Sequence, residues 1–311
     1  MPPLSTYCSI AFACLCSAAP SPAAAEPLQL AQIAAGIYVH QGRHLLPNIE
    51  NQGAIANIGF IVGESCVAVI DTGGSPAQGR ELREVIAQLT TLPVCFVVNT
   101  HMHPDHVYGT AAFNRPGTHF VGHYKLGPAL ATRAPFYRDK ASRDLGFSLT
   151  AEDFVFPDRE VRDTIDLDLG NRTLTLTAHK TAHTDNDLTV FDHQTATLWA
   201  GDLLFVDHTP VIDGSLNGWI EVLDQLKRVP AKRVVAGHGP ISGDWPAAAQ
   251  HEERYLRLLR DEIRDALRAR RTMEQAMETV GRSERDAWLL FNEFHKRNVA
   301  TSFAELEWED D

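Results

Sequence analysis

Val97-Val-Asn-Thr-His101-Met-His103-Pro-Asp105-His106 is the stretch that decides how this chain folds. Cys95 to Thr100 is short, apolar and rich in β-branched or aromatic residues, the composition of a buried strand. Three imidazoles and one carboxylate follow directly at its end. These are the ligand types that suit zinc and related transition metals. Successive residues at a strand end point to opposite sides, so one compact loop can serve two ions. His101 and His103 are expected to face one ion, Asp105 and His106 the other. A lone histidine pair is most often structural, but this spacing after a buried strand reads as a metal loop.

Outward from that loop, the chain alternates strands and helices. Ile37-Tyr-Val-His40, Asn57 to Val62 and Val67-Ala-Val-Ile-Asp71 read as strands. Ser75-Pro76 is a helix start, an N-cap followed by proline at the first helical position. Leu82, Val85, Ile86 and Leu89 then repeat at helical spacing until Pro93 intervenes. Strand, helix, strand with apolar strands predicts a parallel crossover. Residues 124–160 look irregular and are expected to cover one edge of the site. Strands resume at Thr173-Leu-Thr-Leu-Thr177, Leu188-Thr-Val-Phe191, Thr197-Leu-Trp-Ala200 and Arg233-Val-Val-Ala236, with a helix around Trp219 to Lys227. Two β-rich halves with flanking helices predict an α/β, four-layer αβ/βα sandwich with the site between the halves.

Beyond residue 245 the pattern is helical. Leu256, Leu259, Ile263 and Leu267 form one stripe. Thr272-Met-Glu-Gln275 and Ser283-Glu-Arg-Asp286 resemble capping boxes that start two further helices. The acidic end from Glu305 to Asp311 reads as a solvated tail. The expected organisation is a signal peptide over 1–25, a catalytic domain over 26–244 and a helical extension over 245–311 packed on it.

Composition narrows the function classes. The chain has 311 residues, with 44% hydrophobic and 22% charged residues, and a formal net charge of −12. An acidic surface is a poor match for phosphate backbones, so no nucleic acid is expected as partner. No apolar run is long enough to span a bilayer. Met1 to Ala25 carries no Asp, Glu, Lys or Arg and ends in Ala23-Ala24-Ala25 before Glu26. That is the form of a secretory signal with its cleavage site, which makes the periplasm the expected location. Cys14 and Cys16 lack a lipobox. Cys66 and Cys95, the two cysteines beyond the signal, are expected as free thiols on neighbouring parallel strands.

The loop resembles the His-X-His-X-Asp-His pattern of the metallo-β-lactamase superfamily, and the later motifs fall in that family's order over residues 30–242. The resemblance implies a metallo-β-lactamase sandwich with a C-terminal helical extension. Asp71 matches the strand-end Asp that supports the metal loop. His183, in Ala182-His183-Thr184, matches the third histidine of the first metal, in preference to His179. Asp202, in Ala200-Gly201-Asp202, matches the bridging carboxylate, and His238, in Gly237-His238-Gly239, the last ligand of the second metal. The implied set is His101, His103 and His183 on one ion, Asp105, His106 and His238 on the other, with Asp202 shared. Two zinc ions are implied, with iron or manganese as alternatives, holding a hydroxide that attacks the substrate. Asp105 and Asp202 are the carboxylates implied in catalysis. His208 and Trp219 are candidate pocket residues, whereas His119, His123 and His295 are read as structural.

Asp202 bears on the branch. β-Lactamase branches carry Cys or Ser near that position, which turns the expectation from β-lactams to an ester, thioester, lactone or amide. Ile37 to Gly42, Asn57 to Gly63, Ala182 to Asp187, Gly214-Ser-Leu-Asn-Gly-Trp219 and Asn298 to Trp308 resemble the quinoprotein relay system zinc metallohydrolases. That resemblance implies a small-molecule substrate and a periplasmic quinoprotein dehydrogenase or cytochrome c system as partner. The alternatives are β-lactam hydrolysis, an iron-dependent sulfur dioxygenase-like oxidoreductase, and a non-enzymatic metal or quinone-ligand binding partner.

Overall fold

The computed structural model describes residues 28–309. The expected signal segment, 1–25, lies outside the described residues. The first half runs β1 (Ala31–Ala34), β2 (Ile37–His40), β3 (Ile58–Val62), β4 (Val67–Ile70), α1 (Pro76–Leu89), β5 (Val94–Val98), α2 (Pro104–Val107), β6 (His119–His123), α3 (Leu126–Lys140) and β7 (Arg159–Val161). The second runs β8 (Thr164–Asp168), β9 (Thr173–Ala178), β10 (Leu188–Asp192), β11 (Thr197–Phe205), α4 (Leu216–Leu226), β12 (Arg233–His238) and β13 (Gly243–Asp244). Then come α5 (Gln250–Arg268), α6 (Met273–Thr279) and α7 (Phe291–Leu306).

The strands form a seven-stranded sheet in the order β1 to β7 and a six-stranded sheet in the order β13-β12-β11-β10-β9-β8. β1 to β4 are antiparallel; the crossover through α1 makes β4 and β5 parallel, and later crossovers add β6 and β7 in the same direction. Alternation along each strand builds the layers. Ala68, Ile70, Phe96 and Val98 turn inward to meet Leu174, Leu176, Val190 and Trp199 of the second sheet. Their neighbours Val67, Val69 and Val97 turn outward onto Leu82 and Ile86 of α1. In the second sheet Leu198, Ala200, Val234 and Ala236 turn outward onto Trp219 and Leu223 of α4 and Tyr255, Leu259 and Ile263 of α5. Strands covered on both faces are apolar at nearly every position, which is why β4 and β5 read as unbroken hydrophobic runs. Helix, sheet, sheet, helix is the four-layer sandwich expected.

Ser75 caps α1 as expected, its side chain accepting from the Gln78 amide. Three local expectations are corrected. Residues 126–140 form a helix, although two prolines and dense charge hide its period. Leu126, Leu130, Tyr137 and Leu145 nevertheless gather on one side and pack on Met102, Val107 and Tyr108 beside the metal loop. Ser283 does not start an α-helix: a 3₁₀ turn spans Arg282–Ala287 without a side-chain cap, and Glu284 within it is bound to Arg254 and to the Trp288 indole. The acidic end is not free either. Glu305 accepts from the Ser215 hydroxyl and the Leu216 and Asn217 amides at the start of α4, and Glu309 pairs with Arg264.

Cys66 and Cys95 are unbonded thiols, the first buried and the second half-buried. They sit at neighbouring ends of β4 and β5, where Val67 pairs with Val94. Burial and the adjacent Cys95 thiol push Cys66 up to about 12, so it is inert at neutral pH.

Candidate metal centre

Pro104 at the first position of α2 turns the chain after His103, so His103 lies in extended backbone while Asp105 and His106 sit in a helical turn. That change of backbone separates the loop's ligands into two sets. His101, His103 and His183, with Asp202, form one group whose donor atoms lie within 4.8 Å of one another, and Asp105, His106 and His238 form a second. Asp202 reaches both. Its Oδ2 lies 3.4 Å from His183 Nε2 and 3.4 Å from His238 Nε2, and its Oδ1 lies 3.1 Å from His106 Nε2.

Asp202 reaches this point from inside a strand. β11 was expected to stop at Ala200 but continues to Phe205. Gly201 adopts φ +54 and the register with β12 shifts on both sides of it. This bulge re-aims the next side chain toward the centre. A Cβ at Gly237 would lie 1.9 Å from Asp202 Oδ1, so only glycine leaves room for the carboxylate.

The outward nitrogen of every histidine is held. His106 Nδ1 donates to Asp71 at 2.8 Å, His183 Nδ1 to the Val211 carbonyl at 2.6 Å, His238 Nδ1 to the Ile55 carbonyl at 3.2 Å, and His103 Nε2 to Asp213 at 2.9 Å. Thr100 Oγ1 spends its proton on Asp71, so His101 Nδ1 donates to Thr100 at 3.0 Å. Such partners fix ring orientation and leave the inner nitrogens as lone pairs. Asp71 also accepts from the Thr100 amide and sits at φ +55. Left-handed backbone at a non-glycine costs about 1–3 kcal/mol and persists where its surroundings demand it.

The donor set fits metal ions. Inner lone pairs of His103 Nδ1 and His183 Nε2 face each other at 2.9 Å, an arrangement that needs a positive charge between them. His101 Nε2, His106 Nε2 and Asp202 Oδ1 are buried without an aligned hydrogen bond. Two ligands about 2.0–2.1 Å from a tetrahedral ion lie about 3.4 Å apart. The separations here, 3.4 Å for His183 to Asp202, 3.6 Å for His101 to Asp202 and 3.3 Å for His238 to Asp105, match that.

Electrostatics divide the two groups. Burial, reinforced by neighbouring histidines, holds His101 and His103 below the usual range and takes His183 to about 3. Burial also acts against charge on His106 and His238, but Asp202 with Asp105, and Asp71 at His106, outweighs it. His106 is raised, and His238 rises to about 9. Burial opposes ionisation of Asp105, yet His106 and His238 bring it to about 2.

His103 and Asp105 reach solvent, each with a side chain 16% exposed, against 6% or less for the other five ligand candidates. His208 stands against His238 with ring centroids 5.1 Å apart, and the half-buried His44 lies 6.1 Å beyond it. Trp219 is fully buried 5.3 Å from the His183 ring and donates to the Leu203 carbonyl, so it backs a ligand and lines no cleft. His179 turns away to Thr189 Oγ1. His123 and His295 serve backbone carbonyls, and His119 pairs with Asp158 at the surface.

A profile of the metallo-beta-lactamase superfamily matches residues 52–238, a span that runs from before the metal loop to its last histidine. The chain belongs to that superfamily. A curated superfamily relative, a linear primary-alkylsulfatase from Pseudomonas sp. (strain ATCC 19151), is 23% identical over 63% of this chain and 43% of its own length. This chain therefore spans less than half of that relative. Among solved structures, a metallo-beta-lactamase from Pontibacter korlensis superposes with TM-score 0.58 at 21% identity, covering 74% of this chain and 99% of that one. The DIM-1 metallo-beta-lactamase gives TM-score 0.58 at 16% identity, covering 74% and 97%. At these identities the structures establish the fold alone. The expectation of a metal-dependent hydrolase of this superfamily is met at the level of the family and its His/Asp metal cluster. Among the described residues no helix is long and apolar enough to cross a membrane.

Sequence reasoning found Asp71, which holds His106 Nδ1, but missed the other outer supports. Asn57 donates to the Ala236 and Gly239 carbonyls and so holds the turn bearing His238. Asp187 accepts from the Thr184 amide and hydroxyl, shaping the turn after His183, and burial pushes it up to about 7. Asp187 stood in a recognised motif without a role. Asn57 likewise opened a recognised stretch without a role, and Asp213 carried no local signal.

Proposed function

We propose that this protein is a dinuclear zinc hydrolase acting on an ester, thioester, lactone or amide. The observation that carries the reading is Asp202, one buried carboxylate within 3.1–3.4 Å of histidines from both groups. His101, His103 and His183 would hold one ion and Asp105, His106 and His238 the other, with Asp202 shared. Two divalent ions at such a site supply Lewis acidity and bring the pKa of water toward neutrality. Asp105, ionised at neutral pH and partly open to solvent, would accept a proton from the attacking water and orient it. His103, the other solvent-reaching member, lies where substrate enters. Asp202 would stay ionised in its buried setting because His106, His238 and His101 surround it, after the opposing effect of burial.

Export through the 1–25 segment and service to a periplasmic quinoprotein or cytochrome c system belong to the same proposal. Export rests on the charge-free composition of that segment and its Ala23-Ala24-Ala25 site, and the partner on the sequence resemblance alone. The catalytic region would be 26–244, with 245–311 as its helical extension.

The test is a turnover panel with the zinc-loaded full chain: carboxylic esters, thioesters, lactones, amides, a β-lactam and, prompted by the curated relative's name, alkyl sulfates. Chelation should abolish turnover of the favoured class and zinc should restore it. Absence of turnover across all classes by a chain holding two zinc ions would overturn the hydrolase reading.

A further inference from the structure

The superfamily profile ends at His238, yet the metal centre does not end there. The irregular segment 207–213, between β11 and α4, stands between the first metal group and the carboxy-terminal helices, and its hydrogen bonds divide between the two sides. Toward the metal group, the Val211 carbonyl receives His183 Nδ1 at 2.6 Å and Asp213 Oδ2 receives His103 Nε2 at 2.9 Å. The Asp213 amide also donates to the His183 carbonyl at 3.1 Å.

Toward the carboxy terminus, the Leu289 amide donates to the Asp207 carbonyl and the Leu289 carbonyl receives the amide and hydroxyl of Thr209. Asn298, fully buried on α7, accepts from the Ile212 amide at 3.0 Å and donates to the Pro210 carbonyl at 2.6 Å. Arg297, its neighbour, pairs with the second oxygen of Asp213. Asp213 is thus gripped by a guanidinium on one oxygen and by a metal-ligand imidazole on the other. Apart from the single bridge between His208 and Leu289, the segment lies outside the sheets and helices, so it has no means of its own to hold a carboxylate in line with a ring nitrogen.

We propose that Arg297 and Asn298 are positioning residues of the first metal group. Asn298 fixes the backbone of 207–213, and Arg297 fixes the Asp213 carboxylate that aims His103. The helices beyond the sandwich are then a part of the metal centre as well as a cover for the second sheet. This inference rests on the dinuclear reading above.

Arg297 is about half exposed, with a side chain 53% accessible. Exposed ion pairs add little to folding, so its removal separates ligand positioning from stability. The experiment titrates ion-free full-length protein with cobalt(II), following ligand-field absorption, for the wild type and for Arg297→Gln, Arg297→Lys, Asp213→Asn and the Arg297→Gln/Asp213→Asn double variant. Removing an outer partner of a metal-bound histidine typically weakens binding by about 10–100-fold. Arg297→Gln is expected to weaken one of the two sites by about tenfold and alter its absorption, leaving the other site and the ion-free Tm unchanged. Arg297→Lys should recover part of the loss. The double variant should bind as Asp213→Asn does, since both act through one carboxylate.

Wild-type affinities and spectrum in Arg297→Gln would overturn the inference. So would equal weakening of both sites together with a fall in ion-free Tm, the mark of a purely structural contact. A wild type that takes up no cobalt would bring down the dinuclear reading itself, and this inference with it.

Discussion

Removing the metal ions should leave the two ligand groups in opposite protonation states, and that difference can be measured. His238 rises to about 9 in the ion-free protein and His106 is also raised, whereas His183 falls to about 3 and His101 and His103 are lowered. At pH 7 only about one His238 in a hundred is neutral, and at pH 9 about half are, a change of about fiftyfold or about 2.3 kcal/mol. An ion entering the second group at pH 7 must therefore displace protons from His106 and His238, about two in total. An ion entering the first group displaces about none. Calorimetric zinc titration at pH 7 in two buffers of different ionisation enthalpy counts those protons step by step. The same shifts govern stability. A histidine whose folded pKa lies above the ordinary 6.5 stabilises the fold fully below 6.5, and this is lost as pH rises through about 9. The ion-free protein should then lose about 3 kcal/mol from His238 over that window, while zinc binding tightens. The zinc-induced rise in Tm should grow from pH 6.5 to 9. Proton release near zero for both ions at pH 7, or a Tm rise independent of pH, would refute the reasoning.

Asp71→Asn should weaken the second ion by about 10–100-fold, because His106 Nδ1 loses its carboxylate partner; chelator competition measures it. Gly237→Ala would place a Cβ 1.9 Å from Asp202 Oδ1, so elemental analysis should find both sites depleted, since both share that carboxylate. Glu305→Ala removes the acceptor of the Ser215 hydroxyl and of two amides at the start of α4; a lowered urea midpoint corresponding to about 1–2 kcal/mol is expected.

Legibility followed sequence distance. His101, His103, Asp105 and His106 lie in one loop, and their residue types alone announce metal chemistry. The strands β2 to β5 and β9 to β12 could be read from their apolar or alternating runs, whereas β1, β6, β7, β8 and β13 were not anticipated. Asp202 was found, but its setting was misread: the strand seemed to end at Ala200, since nothing in a sequence tells a glycine bulge from a strand terminus. The helix over 126–140 was missed because its buried positions follow no clean period and Pro128 and Pro135 interrupt it. Outer supports were least visible. His103 and Asp213 are separated by 110 positions, and Asn57 and Ala236 by 179. A polar residue that acts on so distant a partner looks like any loop residue until the chain is folded. Glu305 and Glu309 illustrate the converse, an acidic run that reads as solvated but is spent on α4 and Arg264.

The central claim is that seven side chains from four separated segments hold two ions through one shared carboxylate. Elemental analysis of zinc-reconstituted full-length protein, wild type beside Asp202→Ala, tests it most directly. Two zinc ions per chain in the wild type, with both sites depleted in Asp202→Ala while the variant stays folded, is the expected result. A single iron per chain with oxygen uptake, or full zinc retention in Asp202→Ala, would contradict it.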